Sequence, residues 1–418
     1  MTSGLKALTA RGRSFLASGV AALLCAFILG EHDLLRIAVL IISLPLLAAM
    51  VVARTRYRLS CARRLDPPRT EVGSEATVTL RLENVTRLPT GLLMIEDTVP
   101  YALGARPRFV LDRVEAQGIR EIDYRVRSDL RGRFAIGPLS IRISDPFGLV
   151  ELTRSFTISD TLVVTPHVVA LPHVRLSGEW MGGGDSRTRS VAAAGDDDIA
   201  PREYRQGDDL RRVHWRSTAR RGELMVRREE QQWQSRGALL LDTRRHAHRG
   251  EGPRSSFEAA VSAAASIGVH LAHEGLGLRL VTDQGAEHLT ETGLSWSLLD
   301  TLAVVRTSPA RSLEFGIGAL RQGGGDGLIV AVLGAMDVEQ AQALARARHG
   351  NVTGVAVMLD VAGWEHPGTG ENEEFKAARA VLAGSGWRVV RLPAGASVAG
   401  VWQEAAQRGR FAASRGGS

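Results

Sequence analysis

The residues best suited to chemistry lie in one charged stretch, from Asp196 to Glu230: DDDIAPREYRQGDDLRRVHWRSTARRGELMVRREE. His214 is the side chain that titrates near neutrality, and Asp208 or Asp209 would orient it, which is the arrangement of a general base or a metal ligand. Against this, no second histidine or cysteine stands at ligand spacing, and no nucleophile is paired with His214. A structural reading competes with the chemical one. Nine acidic residues face nine arginines in these 35 positions, and Tyr204, Val213, Trp215, Leu224, Met225 and Val226 interrupt the charges. Such a mixture predicts a partly buried ion-pair network, because the planar guanidinium pairs bidentately with carboxylates. The segment RQGDD at 205–209 predicts a turn into a short helix over about 210–219, capped by Asp208 or Asp209.

A second set of carboxylates falls where strands end. From Gly237 onward, short apolar runs alternate with helical periodicity. Strands are predicted at 238–241, 278–281, 328–333, 352–359 and 387–392, and helices at 256–273, 294–305, 338–348, 372–383 and 398–407. Continuous apolar strands alternating with helices imply a parallel sheet covered on both faces. Ligands of such sheets sit at the carboxyl ends of the strands, where Asp242, Asp283 and Asp337 fall. Gly323-Gly324-Gly325 predicts a loop before a strand, and no lysine follows that would make it a nucleotide-binding loop. The tail from Gly409 is predicted to be disordered.

Ahead of these lie two segments of different character. Between Leu65 and Pro166 short stretches alternate with period two, as in ATVTLRLE at 76–83, REIDYRVR at 120–127, LSIRIS at 139–144 and FTISDTLVV at 156–164. Turn residues punctuate them, so an antiparallel sandwich is expected. At the N-terminus two apolar runs, 14–30 and 34–53, are separated by Glu31, His32 and Asp33. A spanning helix needs about 20 apolar residues. The second run meets that length if Arg36 snorkels, and the first falls slightly short. A signal peptide is disfavoured because no small-x-small cleavage site follows Gly30 and another apolar run begins almost at once. Pro45 predicts a kink in the second helix. Lys6, Arg11 and Arg13 precede the pair, and Arg54, Arg56, Arg58, Arg63 and Arg64 follow it. By the positive-inside rule both ends then face the cytoplasm.

Composition adds little. The net charge of +7 is spread along the chain and interleaved with acids, with no nucleic-acid motif, so no nucleic-acid partner is expected. Cys25 and Cys61 form neither a disulfide framework nor a Cys-x-x-Cys pair.

The charged stretch carries a resemblance. Tyr204-x-x-Gly207-Asp208-x-x-Arg211-x-x-His214-Trp215, then Ser217-x-Ala219-Arg220, Leu224-x-Val226-Arg227 and Glu229, resembles the signature of the bacterial family called domain of unknown function 58. Gly137-Pro138 and Asp145-Pro146-Phe147-Gly148-Leu149 resemble its second hallmark. The resemblance implies a C-terminal fold similar to the von Willebrand factor A domain. It also implies, as partners, a MoxR-type AAA+ ATPase and a transglutaminase-like membrane protein. The metal site of a von Willebrand A domain needs Asp-x-Ser-x-Ser after its first strand, to hold magnesium through hard oxygen ligands. Here the sequence is Asp242-Thr243-Arg244-Arg245-His246, with an arginine whose charge repels a divalent ion. Asp242 and Asp283 are therefore weak metal candidates, and no cofactor is expected.

The expected layout is a transmembrane hairpin (1–58), a β-rich sandwich (59–170), a linker with the charged motif (171–236), an α/β doubly wound domain (237–408) and a tail (409–418). The expected role is a membrane-anchored adaptor or assembly protein with its soluble domains in the cytoplasm. The alternative is a hydrolase using His214 with Asp208, or a metal at Asp242 and Asp283.

Overall fold

Two long helices open the chain in the computed structural model. It describes residues 8–54, 59–87, 89–145, 147–173, 201–203, 215–227, 236–289, 293–323, 326–348, 352–366 and 371–415. The chain divides into two compact units, Met1–Thr165 and Pro166–Ser418.

In the first unit, α1 (Ala10–Leu29) and α2 (His32–Arg54) form a hairpin. The Thr9 hydroxyl caps α1 by accepting from the Gly12 amide, so the helix starts a turn earlier than the apolar run. Gly30 closes it at φ 73°, a left-handed conformation that glycine adopts without strain, and its amide donates to the Ala26 carbonyl. The buried positions of α1 are Gly12, Gly19 and Ala26. A Cβ on Gly19 would lie 2.6 Å from the Ile42 side chain, so this small residue lets α2 approach closely. Both helices are long and apolar enough to cross a membrane, with mean hydropathy 1.8 and 2.1. Arg36 pairs with Asp33 at 3.0 Å, at the loop end of α2.

The strands that follow make three sheets. One has the order β1 (Leu59–Asp66), β3 (Glu75–Asn84), β6 (Ile119–Arg127); the second β2 (Arg69–Glu71), β10 (Asp160–Thr165), β7 (Gly132–Ile136); the third β5 (Arg108–Leu111), β4 (Leu93–Asp97), β8 (Leu139–Ser144), β9 (Glu151–Phe156). Alternation decides which face is buried: Ala76, Val78, Leu80 and Leu82 of β3 all point inward. Leu80 and Leu82 pack with Leu93 and Ile95 of β4 and Leu139, Ile141 and Ile143 of β8. That joins the first and third sheets across an apolar layer.

A polar group crosses this apolar interior. The Arg63 guanidinium of β1 donates to Asp97 of β4 at 2.7 and 3.2 Å, to the Ile136 carbonyl of β7 at 2.9 Å, and to Asp160 of β10 at 3.2 Å. The Tyr124 hydroxyl of β6 donates to Asp97 at 2.6 Å. One buried arginine thus ties all three sheets together. Burial, reinforced by Asp97, pushes the Tyr124 phenol up, and burial pushes the neighbouring Cys61 thiol up to about 11. Arg63 was expected among the charges flanking the membrane; its side chain is 1% exposed and serves the sandwich instead.

Two further expectations are corrected. Residues 156–164 are not one strand, since β9 ends at Phe156 and β10 begins at Asp160. The chain turns between them because the Ile158 carbonyl accepts from Arg63 and approaches Gly137 closely. Gly137 has φ 120°, and a Cβ there would lie 2.4 Å from that carbonyl oxygen. The β-rich unit also ends at Thr165, not at 170. Val168 and Leu171 pack on the α/β core, and the Val169 amide donates to Ser266 at 3.0 Å.

In the second unit a six-stranded sheet has the order β15 (Gly285–His288), β14 (Gly277–Thr282), β13 (Arg236–Leu241), β16 (Asp326–Leu333), β17 (Thr353–Leu359), β18 (Arg388–Leu392). Only β15 is antiparallel within it. Strand residues alternate between two apolar layers. Leu239 and Leu241 face Phe257, Leu298 and Trp402, from α4 (Ser256–His273), α5 (Leu294–Val304) and α10 (Val398–Arg415). Ala238 and Leu240 face Ile317, Leu344 and Phe375, from α6 (Glu314–Gln322), α7 (Val338–Ala345) and α9 (Glu373–Gly384). The sheet is covered on both faces, as its apolar strands require. A short helix, α8 (Ala362–Glu365), follows β17. The tail expectation is corrected in part, because α10 runs through Gly409 to Arg415. One glycine costs only about 1 kcal/mol in a helix, and the alanines and arginines around it continue the pattern.

Candidate functional site

The strand order reverses at β13 and β16, the place where doubly wound sheets bind their ligands. Asp242 is the first residue beyond β13 and is fully buried. Two residues on, Arg244 folds back onto it. Its Nε donates to Asp242 Oδ1 at 2.9 Å and its Nη2 to Oδ2 at 2.7 Å. The Arg244 amide adds a bond to Oδ1 and the Gly334 amide one to Oδ2, both at 3.1 Å. A carboxylate has about four lone-pair sites, and these four donors fill them.

The guanidinium is itself held by residues beyond β16. It donates to Gln340 Oε1 at 2.5 Å and to the Ala335 carbonyl at 3.0 Å. Gln340 stands in the first turn of α7, where Asp337 accepts from its amide at 2.7 Å and caps the helix. Asp337 is thus a capping residue. Asp283, beyond β14, accepts from the Thr243 and Ser308 hydroxyls. The two strand-end carboxylates are linked through Thr243, the chain neighbour of Asp242 and a donor to Asp283, and each is committed to its own donors. A divalent ion does not fit this donor set, because the first serine position of the metal motif holds a cation of its own. Among the described residues no three His, Cys, Asp or Glu side chains gather to hold a metal.

His248 packs against the same loop and is buried. Its Nε2 lies 2.8 Å from the Asp242 carbonyl, which can only accept, so this nitrogen carries the proton. Its Nδ1 lies 3.3 Å from the Ser256 hydroxyl, and its ring meets Phe257 edge-on. Burial pushes its pKa below the ordinary imidazole range, against the opposing pull of Asp242. The folded state therefore binds fewer protons than the unfolded chain below about pH 6.5, and stability falls as pH drops through that value. His248→Gln should flatten this loss between about pH 7 and about pH 5. Thermal melts of the two proteins across that range check it; parallel pH profiles would refute the assignment.

Of the charged motif, Tyr204, Gly207, Asp208, Arg211, His214 and Glu229 lie outside the described residues, as do the expected turn at 205–209 and the His214–Asp208 pairing. What is described frames them. A two-stranded ribbon pairs β11 (Pro201–Glu203) with β12 (Met225–Arg227), and α3 (Trp215–Arg221) lies between the two in sequence. Met225 is buried, and its amide donates to the Thr218 hydroxyl at 3.0 Å. Trp215, by contrast, is 70% exposed, and Ala219 and Arg220 also face solvent. Ser217 lies on α3. The apolar residues Trp215 and Leu224 were expected to pack among ion pairs, yet both are exposed.

Residues 200–372, which contain both this motif and the buried Asp242–Arg244 pair, match the family described as Protein of unknown function DUF58. They are a DUF58 domain. Uncharacterized protein YeaD of Bacillus subtilis is 25% identical to the chain over 234 residues, covering 53% of the chain and 55% of that protein. The chain thus matches about half the length of that relative. Among solved structures, a CARDB domain from Pyrococcus furiosus is 12% identical, covering 26% of this chain and 91% of that one, with a TM-score of 0.19. The DNA glycosylase AlkC of Pseudomonas fluorescens is 13% identical, covering 32% and 39%, also at 0.19. Scores this low carry no argument about the fold.

Sequence reasoning marked Asp242 and Asp283 but missed what engages them in the DUF58 domain: Gln340, Ser308 and His248. The available signal was the Asp-x-Arg spacing itself. An arginine two residues beyond a strand-end aspartate can return to it bidentately.

Proposed function

We propose that the chain is a membrane-anchored adaptor or assembly protein, whose C-terminal unit is von Willebrand A-like and binds protein partners. The observation that carries this reading is the exposed Trp215–Ala219–Arg220 surface of α3, within the family motif. Tryptophan and arginine are the side chains that most often anchor protein interfaces, and a tryptophan 70% exposed is costly to leave in water. The strand order, with one antiparallel edge strand beside β14, supports the von Willebrand A-like assignment. The two apolar helices support membrane anchoring, and Arg11 and Arg13, in the first turn of α1 ahead of its apolar run, support a cytoplasmic start. Against the metal-dependent form of the hydrolase alternative stand the filled lone pairs of Asp242 and the two hydroxyls on Asp283.

The favoured partner is a MoxR-type AAA+ ATPase, with a transglutaminase-like membrane protein as a second. The test is co-purification of the detergent-solubilised full chain with a co-expressed MoxR-type ATPase. Trp215→Ala should reduce recovery at least tenfold, the loss of a central anchor of about 2 kcal/mol, without shifting the melting temperature. Unchanged recovery would remove α3 as the docking surface. A matching drop in melting temperature would assign Trp215 a structural role.

A further inference from the structure

The hallmark turn 145–149 does not sit free on the sandwich. Its carboxylate organises the turn from within: Asp145 accepts from the Phe147 amide at 3.0 Å and the Val150 amide at 2.6 Å. Gly148 adopts φ 67°. The turn then grips the first membrane helix at its start. The Thr9 hydroxyl donates to the Gly148 carbonyl at 2.7 Å and the Thr9 amide to the Leu149 carbonyl at 3.0 Å. Leu8 bridges to Val150, and a Cβ on Gly12 would lie 2.2 Å from the Leu149 carbonyl oxygen. Leu8, Leu149 and Val150 form a small core with Leu16 of α1 and Leu44, Ala48 and Ala49 of α2. The turn is therefore fixed in height against the hairpin.

Among the described residues, two side chains at this junction are left to solvent. Phe147, at the tip of the turn, is 62% exposed, although a phenyl ring is among the groups most favoured in a core. Arg11 is exposed, and its guanidinium lies beside Gly148, 3.7 Å from where a Cβ would stand. The apolar run of α1 begins at Ser14, five residues beyond Thr9, so the turn lies roughly 8 Å below it along the helix. That is about the depth of one headgroup layer.

We propose that Phe147 and Arg11 form an interfacial anchor: the ring inserts among the headgroups of the bilayer that holds the hairpin, and the guanidinium pairs with anionic phospholipid phosphate. The ligand class follows from continuity with the apolar spans, since an aromatic tip and a snorkelling cation at that height match the chemistry of the interface. The inference rests on the hairpin spanning a membrane, and the test separates the two.

Single spin labels are placed on the full chain in nanodiscs, at Phe147→Cys, where the apolar nitroxide ring takes the place of the phenyl, at Val110→Cys, and at the native Cys25, with the other cysteines replaced by serine. Cys25 lies within α1, and Val110 is an exposed residue of β5. Oxygen accessibility relative to a water-soluble nickel chelate reports immersion. In discs containing phosphatidylglycerol, the ratio at 147 should exceed that at 110 by about threefold and stay below that at Cys25. In pure phosphatidylcholine, or with Arg11→Gln, the excess at 147 should shrink. Equal ratios at 147 and 110, with Cys25 in lipid, would overturn the anchor alone. Cys25 exposed to the chelate would overturn the membrane reading and the anchor with it. An excess at 147 indifferent to lipid charge would overturn the role of Arg11.

Discussion

Arg244→Ala is expected to destabilise the C-terminal unit by about 3–5 kcal/mol, the range for removing one partner of a buried ion pair. The reason is the state in which Asp242 is left. Both side chains are fully buried, and Asp242 would keep only the two amide donors at 3.1 Å. The Arg244 methylenes and guanidinium would leave a void between the loops after β13 and β16. Replacing both partners separates charge from packing: Asp242→Asn with Arg244→Met should recover much of the loss, since an apolar side chain fills the space and no buried charge remains. Hydrogen exchange of β13 and β16 amides in the full chain in nanodiscs reads this locally. Wild-type protection in Arg244→Ala would show that the clasp contributes nothing to the fold.

Arg63→Met should have an effect of similar size, about 3–5 kcal/mol, in the N-terminal unit. It would strip Asp97 of two charge-assisted bonds and leave the Ile136 and Ile158 carbonyls without their donor. Because the guanidinium reaches strands of all three sheets, the loss should spread across them. Asp160→Asn touches the same arginine at the network's wet end, where the carboxylate is 38% exposed. It should cost no more than about 1 kcal/mol. Urea unfolding of the two variants gives the ranking. Equal losses would mean that the network acts as a set of surface pairs.

Much of this architecture is legible in the residues. The helix at Ser256–His273 announces itself through a Ser255 cap and a long alanine-rich periodicity, and its bounds match. The parallel strands read as continuous apolar runs because both of their faces are buried. What escapes has specific causes. Strand β4 reads LMIED, and its last two carboxylates argue against burial until Arg63, Arg108 and Arg142 are seen to pair with them. Strand β15, GAEH, is too short and polar to show a period. Helix α6 carries Gly316 and Gly318, which weaken its helical signal. Gly316 is needed, since a Cβ there would lie 3.2 Å from Leu240. At the site, the local pattern shows that Arg244 opposes a metal. That it takes the metal's place on Asp242 depends on Gly334, Ala335 and Gln340, about ninety residues away.

The spacing of Gly12, Gly19 and Ala26 has a mechanical meaning. Residues seven apart fall on nearly one line along a helix, drifting only about 20° per repeat. Gly12 meets the sandwich and Gly19 meets α2, so one narrow stripe serves both neighbours. Rotational phase therefore passes undiminished from the hairpin to the sandwich. One residue inserted between them would turn the two contacts about 100° out of step. A point substitution elsewhere on α1 leaves that phase untouched, so the first helix tolerates changes of residue far better than changes of length.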